Sequence, residues 1–187
     1  MMKLPSFKHV QNGVTLIEVL VTIVILAFGL LGLAGLQTRL EQSELESYQR
    51  AQGLILLEDM ASKITVNRNN AASYVTGPSN PLGTGMSCPA SAITRQNLDT
   101  KDWCNSLKGA AETSGTSLVG AFIGGRGCIE DLGSGQYMIT VSWQGIGPTG
   151  SPPSSIACGK NSYDNTTVCK NDQCRKVLTT IVGIASL

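Results

Sequence analysis

One carboxylate stands near the start of a long apolar segment, and it is the side chain of this chain best placed to do chemistry. Glu18 closes the stretch Gly13-Val14-Thr15-Leu16-Ile17-Glu18, and no charged residue occurs in residues 19–38. About 20 apolar residues in a helix, at about 1.5 Å each, span the hydrocarbon core of a membrane. An acidic residue in such a segment costs about 2.5–3.5 kcal/mol to insert and is a functional candidate by default. We therefore expect Glu18 to need a cationic partner.

The residues before the apolar segment indicate where that cation comes from. Residues 1–13 carry Lys3 and Lys8, contain no acidic residue and end in Gly. A secretory signal peptide has its apolar region before the cleavage site, whereas here the basic leader comes first. Cleavage between Gly13 and Val14 would remove only the leader and create an α-amino group beside the apolar segment. The alternative is an ordinary signal anchor, with Glu18 as an incidental charge at the membrane interface.

This pattern resembles the class III signal of type IV prepilins over residues 13–36. The resemblance implies that a prepilin peptidase cuts between Gly13 and Val14 and that the new amine of Val14 is N-methylated. It also implies that Glu18 is an assembly contact between subunits. Val14 departs from the family pattern, which usually has Phe or another bulky residue at that position.

The cysteines point to disulfides in an exported domain. Lys3 and Lys8 precede the apolar segment, so the positive-inside rule leaves the C-terminal part outside the cytoplasm, and all six cysteines lie there. Zinc is the competing use, but the only His is His9 and Cys169 and Cys174 lack CxxC spacing. Six cysteines permit fifteen pairings. We expect three disulfides and favour these pairs: Cys88–Cys104, Cys128–Cys174 and Cys158–Cys169.

Composition and motifs disfavour several classes of function. The 14 basic and 13 acidic residues nearly cancel, whereas a nucleic-acid surface needs a clustered basic face. No His follows His9, so neither a Ser-His-Asp nor a Cys-His arrangement is available in the exported part. Gly124-Gly125-Arg126-Gly127 lacks the pattern of a phosphate-binding loop and predicts a tight turn. We expect no enzyme activity, no cofactor, no metal site and no nucleic-acid partner.

The chain divides into four segments by pattern. Residues 1–13 form the cleaved leader, 14–38 the transmembrane and assembly half of an N-terminal helix, 39–66 its amphipathic half and 67–187 the exported globular domain. The amphipathic half has a stripe of Leu45, Tyr48, Leu56, Met60 and Ile64.

The exported part carries one helix signal and a set of strand signals. A short helix is expected over residues 99–111, and strands over residues 127–130, 136–144 and 174–184, the second with clean alternation. These patterns predict an α+β fold in which the long helix packs on a small antiparallel sheet.

The exported part also resembles PilV-type minor pilins. The similarity rests on Asp102-Trp103, on the Gly-rich approach to Cys128-Ile129, on the strand at residues 137–143 and on Cys174-Arg175. It implies a structural subunit that is incorporated into a type IV pilus, or primes its assembly, in pilus biogenesis, adhesion or motility.

The implied partners are the major and minor pilins, through the N-terminal helix, together with the prepilin peptidase and the inner membrane. Before assembly the exported domain would be periplasmic, and afterwards it would be on the pilus at the cell surface. The alternatives are a pseudopilin of a type II secretion system and a membrane-tethered enzyme or ligand-binding module.

Overall fold

The computed structural model describes residues 13–91, 93–110, 113–115, 117–118, 120, 122–165 and 167–185. Residues 1–12, which hold nearly all of the expected leader, lie outside this range. The internal contacts divide the chain into two compact units, Met1–Ser43 and Glu44–Leu187.

A single helix, α1, spans Leu16–Val66. The range contains no Pro to interrupt its hydrogen bonds, so the prediction of one continuous helix is confirmed. The residues of α1 up to Ser43 belong to the first unit, and those from Glu44 belong to the second. None of its residues before Gln49 is buried.

In the second unit α1 packs against the sheet through a stripe that repeats every three or four residues. The buried positions are Gln49, Gly53, Leu56, Leu57, Met60 and Ile64. The expected stripe was wrong at its start, because Leu45 and Tyr48 are exposed. The close approach to the sheet comes at Gly53, where an added Cβ would lie 2.9 Å from Leu178 Cδ1. The buried stripe begins one turn earlier, at Gln49.

The sheet has four antiparallel strands in the order β1-β4-β5-β6. They span Leu82–Gly83 (β1), Arg126–Gly133 (β4), Gln136–Gln144 (β5) and Arg175–Gly183 (β6). A separate two-stranded ribbon pairs Thr113–Ser114 (β2) with Ser117–Leu118 (β3). The α+β arrangement predicted from the sequence is confirmed.

A tight hairpin joins β4 to β5. Its two central residues, Ser134 and Gly135, have φ of 52° and 72°, as a two-residue type I′ turn requires. β4 therefore continues to Gly133 instead of ending at residue 130 as expected, with a register shift between Asp131 and Gly133. The turn is shorter than the sequence suggested because both of its residues adopt the left-handed conformation.

The second helix, α2, spans Arg95–Leu107 and begins earlier than expected. Thr94 caps it, and its hydroxyl accepts a hydrogen bond from the amide of Asn97 at 3.2 Å. Asp99 and Thr100, where the sequence pattern placed the start of the helix, lie inside it and are buried. Trp103 fixes α2 to α1, because its Nε1 donates to the carbonyl of Leu56 at 2.9 Å.

Three disulfides are present, and two of the expected pairs are wrong. Cys88 bonds Cys104, the pair expected from the sequence, but Cys128 bonds Cys158 and Cys169 bonds Cys174. β5 separates β4 from β6, which by strand spacing alone places Cys128 at least about 10 Å from β6, and the register puts it opposite Thr179, well along the strand from its start at Arg175. That distance exceeds the span of a disulfide.

The loop between β5 and β6 lies on the sheet face opposite α1. Cys158 holds it to β4, and the hydroxyls of Tyr163 and Ser142 are 3.2 Å apart. For this reason Thr140 and Ser142, which alternate with the core residues of β5, are buried as well. The middle of the sheet is covered on both faces.

A buried ion pair closes the end of this loop. The Arg175 guanidinium, 1% exposed, lies 2.6 Å from Asp172 Oδ2. Its Nη1 donates to the carbonyls of Ile156 and Cys158 at 2.8 and 3.0 Å. Breaking such a pair on one side leaves an uncompensated buried charge, so loss of either Arg175 or Asp172 would disrupt this end of the loop.

A second buried polar cluster links the segment after α1 to α2. Tyr74 ends a 3₁₀ helix, Arg68–Tyr74, and its hydroxyl donates to Asp99 Oδ2 at 2.6 Å. Asn67 Nδ2 donates to the same hydroxyl at 3.0 Å, and Arg95 Nε lies 3.0 Å from Asp99 Oδ1. Burial first, and the Asp99 hydrogen bond second, raise the pKa of Tyr74 to about 12.

The cluster predicts a loss of stability in alkali. Because the pKa of Tyr74 is raised in the folded state, its contribution is complete below pH 10 and is lost as the pH rises through about 12. Urea unfolding followed by circular dichroism between pH 8 and 11 should show this decline in the free energy of unfolding. Tyr74→Phe should be less stable at pH 8, by about 1–3 kcal/mol, and should show a shallower decline. Tyr137→Phe is the control, and an equally steep decline in Tyr74→Phe would contradict the assignment.

The disulfides predict unequal losses of stability. Cys128 and Cys158 are 30 residues apart, and Cys169 and Cys174 only 5. Loop-closure entropy makes the longer link worth about 1.5 kcal/mol more. The double variant Cys128→Ser/Cys158→Ser should therefore lower the free energy of unfolding more than Cys169→Ser/Cys174→Ser. Peptide mapping without reduction checks the pairs directly, and a Cys128–Cys174 peptide would contradict the structure.

Candidate functional site

The expected cleavage position lies just outside α1. Gly13, Val14 and Thr15 precede the first helical residue and are exposed. The carbonyl of Thr15 accepts the amides of Glu18 and Val19 at 3.1 and 3.3 Å, so regular helical hydrogen bonding begins there. An added Cβ at Gly13 would meet no atom within 4 Å. The Gly13–Val14 peptide bond is therefore open to a protease, as exposed non-helical segments generally are.

Glu18 lies in the first turn of α1 and is exposed. A carboxylate there interacts favourably with the helix dipole, by about 0.3–1 kcal/mol at an exposed site. In the described part of the chain no ion pair includes Glu18. The carboxylate is thus available to a cation from outside its own helix.

The helix surface beyond Glu18 is apolar and uncovered. Its large hydrophobic side chains from Val19 to Leu36 are between 43% and 72% exposed. By length and composition alone, α1 is long and apolar enough to cross a membrane. Soluble proteins rarely expose a continuous apolar surface of this extent, so lipid or other helices must cover it.

Three glycines lie within this apolar surface. Gly29, Gly32 and Gly35 have no atom within 4 Å of an added Cβ, so nothing within the described chain requires glycine there. Each weakens the helix by about 1 kcal/mol relative to Ala. Small residues let helix backbones approach closely in a membrane, which is the role expected of these positions.

The Gly-rich stretch at residues 124–127, which the sequence analysis considered as a phosphate-binding loop, lies in the second unit and allows close packing there. An added Cβ at Gly127 would lie 2.3 Å from Trp103 Cη2, and one at Gly125 would lie 2.4 Å from the carbonyl oxygen of Leu107. The Gly-rich stretch at residues 124–127 is therefore required by close contacts. Among the described residues no group of three His, Cys, Asp or Glu is placed to hold a metal ion.

Sequence reasoning missed two arrangements in this unit. For the Asp172–Arg175 pair, the only local signal is two opposite charges three residues apart, beside Cys174. Such a spacing does not by itself distinguish a buried ion pair from two exposed charges. Arg126 and Tyr163 are 37 residues apart and come together only in the fold, with the guanidinium carbon 5.0 Å from the ring centroid. No local sequence pattern predicts that contact.

Comparison with known proteins identifies the N-terminal segment. Residues 8–34 match the family model of the prokaryotic N-terminal methylation motif. No curated protein and no solved structure matches the chain significantly. Together with the uncovered apolar start of α1, the motif supports membrane anchoring before assembly. The motif is that of type IV pilin and pseudopilin precursors, which are typically structural proteins, and in this chain it covers residues 8–34.

Proposed function

We propose that this protein is a minor pilin, a structural subunit that is incorporated into a type IV pilus or primes its assembly. The observation that carries the proposal is the uncovered apolar surface of α1 with one carboxylate, Glu18, at its start. A soluble domain has no use for such a surface, whereas a helical filament buries it between subunits.

In this proposal residues 1–13 are a leader that a prepilin peptidase removes by cutting between Gly13 and Val14. The amine of Val14 is then N-methylated and stays cationic. Residues 14–38 hold the precursor in the inner membrane and later form the filament core. Residues 39–66 join that part to the exported domain, residues 67–187, which lies in the periplasm and then on the pilus surface.

Glu18 then neutralises the terminal amine of a neighbouring subunit. Two opposite charges 4 Å apart attract by about 4 kcal/mol at an effective dielectric constant of about 20, compared with about 1 kcal/mol in water. An axial slip by one helical turn would leave both charges unpaired in an apolar surrounding, at a cost of several kcal/mol per ion. The pair therefore contributes register as well as affinity.

The three disulfides favour a pilus subunit over a pseudopilin. They tie the loop between β5 and β6, and the segment before α2, to the core of the second unit. Such links stabilise an exported domain by constraining its unfolded state, which suits a subunit displayed outside the cell. A secretion-system pseudopilin stays in the periplasm, so the location of the protein distinguishes the two.

The first prediction concerns processing. Replacing Gly13 by Leu should block the cut, because a bulky side chain then occupies the position before the scissile bond. Intact-mass spectrometry should find wild-type protein beginning at methylated Val14 and the variant with its leader retained. Gln11→Leu is the control and should be processed normally. Wild-type protein that keeps residues 1–13 in cells with active peptidase would refute the proposal.

The second prediction concerns assembly. Glu18→Ala should leave cleavage, membrane insertion and the disulfides intact, but it should lower the ratio of this protein in sheared pili to that in membranes at least tenfold. The reason is that an unpartnered buried amine costs about 3–5 kcal/mol. Glu46→Ala, at an exposed position of α1 beyond the apolar surface, is the matched control.

Two outcomes of this experiment count against the proposal. An unchanged ratio for Glu18→Ala would mean that Glu18 is not the assembly contact. Absence of the wild-type protein from sheared pili, combined with a secretion defect in its deletion strain, would favour the pseudopilin.

A further inference from the structure

A cleft of about 320 Å³ opens on the second unit, and its lining includes no residue of α1. Three segments meet there: residues 78–86, the start of β4 and residues 157–162. We call it the Arg126 cleft. Its polar side chains are those of Ser79, Thr84, Arg126, Lys160 and Ser162. Its volume lies at the lower end of the range for small-molecule sites.

The guanidinium of Arg126 is held in place within this cleft. It lies over the ring of Tyr163, 5.0 Å from the centroid, and its Nη1 donates weakly to the carbonyl of Gly124 at 3.4 Å. Tyr163 is fixed in turn, because its hydroxyl donates to the same carbonyl at 2.9 Å and contacts Ser142 Oγ at 3.2 Å. A cation stacked on an aromatic ring is oriented before any ligand arrives.

The cations of the cleft lack anionic partners. Within the described residues no ion pair includes Arg126 or Lys160, whereas Arg175 is paired with Asp172 and Arg95 with Asp99. Arg95 and Arg175 thus each have a carboxylate partner among the described residues, whereas Arg126 has none. Nη2 faces the cleft wall at Gly85, where an added Cβ would lie 3.5 Å away. The absence of a side chain at Gly85 leaves that nitrogen accessible.

We propose that the Arg126 cleft binds the carboxylate of an acidic sugar, a uronate. The planar guanidinium fork matches a carboxylate in two parallel hydrogen bonds, and the Lys160 ammonium adds a second positive charge. The hydroxyls of Ser79, Thr84 and Ser162 can donate to or accept from the hydroxyls of a sugar ring. This assignment concerns the second unit alone and holds whether the protein assembles into a pilus or a pseudopilus.

The test is calorimetric titration of the full chain in detergent with sodium D-glucuronate. Glucuronate should bind saturably, with affinity falling as salt rises because both cations contribute. D-glucose and acetate should each bind at least tenfold more weakly, because glucose lacks the carboxylate and acetate lacks the sugar hydroxyls. Inorganic phosphate and the peptide Gly-Glu-Gly, which carry an anion without the sugar, should bind no tighter than acetate.

Matched variants assign the binding to the cleft. Arg126→Gln should weaken glucuronate binding about tenfold or more, the effect of losing a charge-assisted hydrogen bond of about 1.5–3 kcal/mol. Arg126→Lys keeps the charge over Tyr163 but loses the fork and should also weaken binding. Lys160→Gln changes an exposed side chain, so it should leave the core folded, and it should weaken glucuronate binding about threefold. Lys170→Gln, an exposed lysine outside the cleft, should have no effect.

Several results would overturn the assignment. They are the absence of saturable binding of glucuronate, equal binding of glucose, tighter binding of phosphate or of the peptide, and unchanged binding in Lys160→Gln together with Arg126→Lys. Tighter binding of the peptide would identify an acidic side chain of a protein partner as the ligand instead.

Discussion

A charge placed at the start of an apolar helix surface governs the organisation of this protein. Glu18 has no ion pair within the described chain, and the side chains that follow it along α1 are uncovered through Leu36. Lipid can cover the apolar side chains, but it cannot neutralise the carboxylate. The same helix of a second subunit, with a free N-terminal amine, can both cover the apolar side chains and neutralise the carboxylate. In the proposed function the same segment is therefore a membrane anchor first and a subunit contact afterwards.

The second unit is held together by contacts of its own. Its part of α1 is fixed by the buried stripe and by the hydrogen bond from Trp103 to Leu56. The described residues of the loop between β5 and β6 form neither helix nor strand, yet two disulfides and the buried Asp172–Arg175 pair hold the loop against the sheet. Loops positioned on a rigid scaffold are where proteins place binding functions. The Arg126 cleft lies where this loop meets the segment before β1.

Features encoded by local spacing could be predicted from the sequence, and features that depend on which strands are neighbours could not. The helical repeat of apolar residues predicted that Leu56, Met60 and Ile64 lie on the buried face of α1. Strict alternation of apolar and polar residues predicted β5. Cys128 was assigned the wrong partner because the position of β5 between β4 and β6 is not readable from spacing. The start of α2 was placed at residue 99 instead of 95, because Asp99 and Thr100 are also of the residue types that cap helices. Asp99 lies inside α2, where its carboxylate accepts the buried hydrogen bond from Tyr74. The N-terminal motif that contains Val14 and Glu18 was evident because it is local, and the match over residues 8–34 agrees with it; the roles of the two residues in cleavage and assembly stay predictions.

The central claim is that the carboxylate of Glu18 lies against the terminal amine of another subunit in the assembled filament. A carbodiimide that partitions into apolar regions joins such an amine to such a carboxylate without a spacer. Sheared filaments treated in this way and analysed by peptide mass spectrometry should yield a linked pair: the peptide containing Glu18 joined through its carboxyl to the N-terminal peptide of a neighbouring pilin. Detergent-dispersed subunits should yield none. Filaments that contain the protein but give only unlinked, carbodiimide-modified Glu18 would contradict the account.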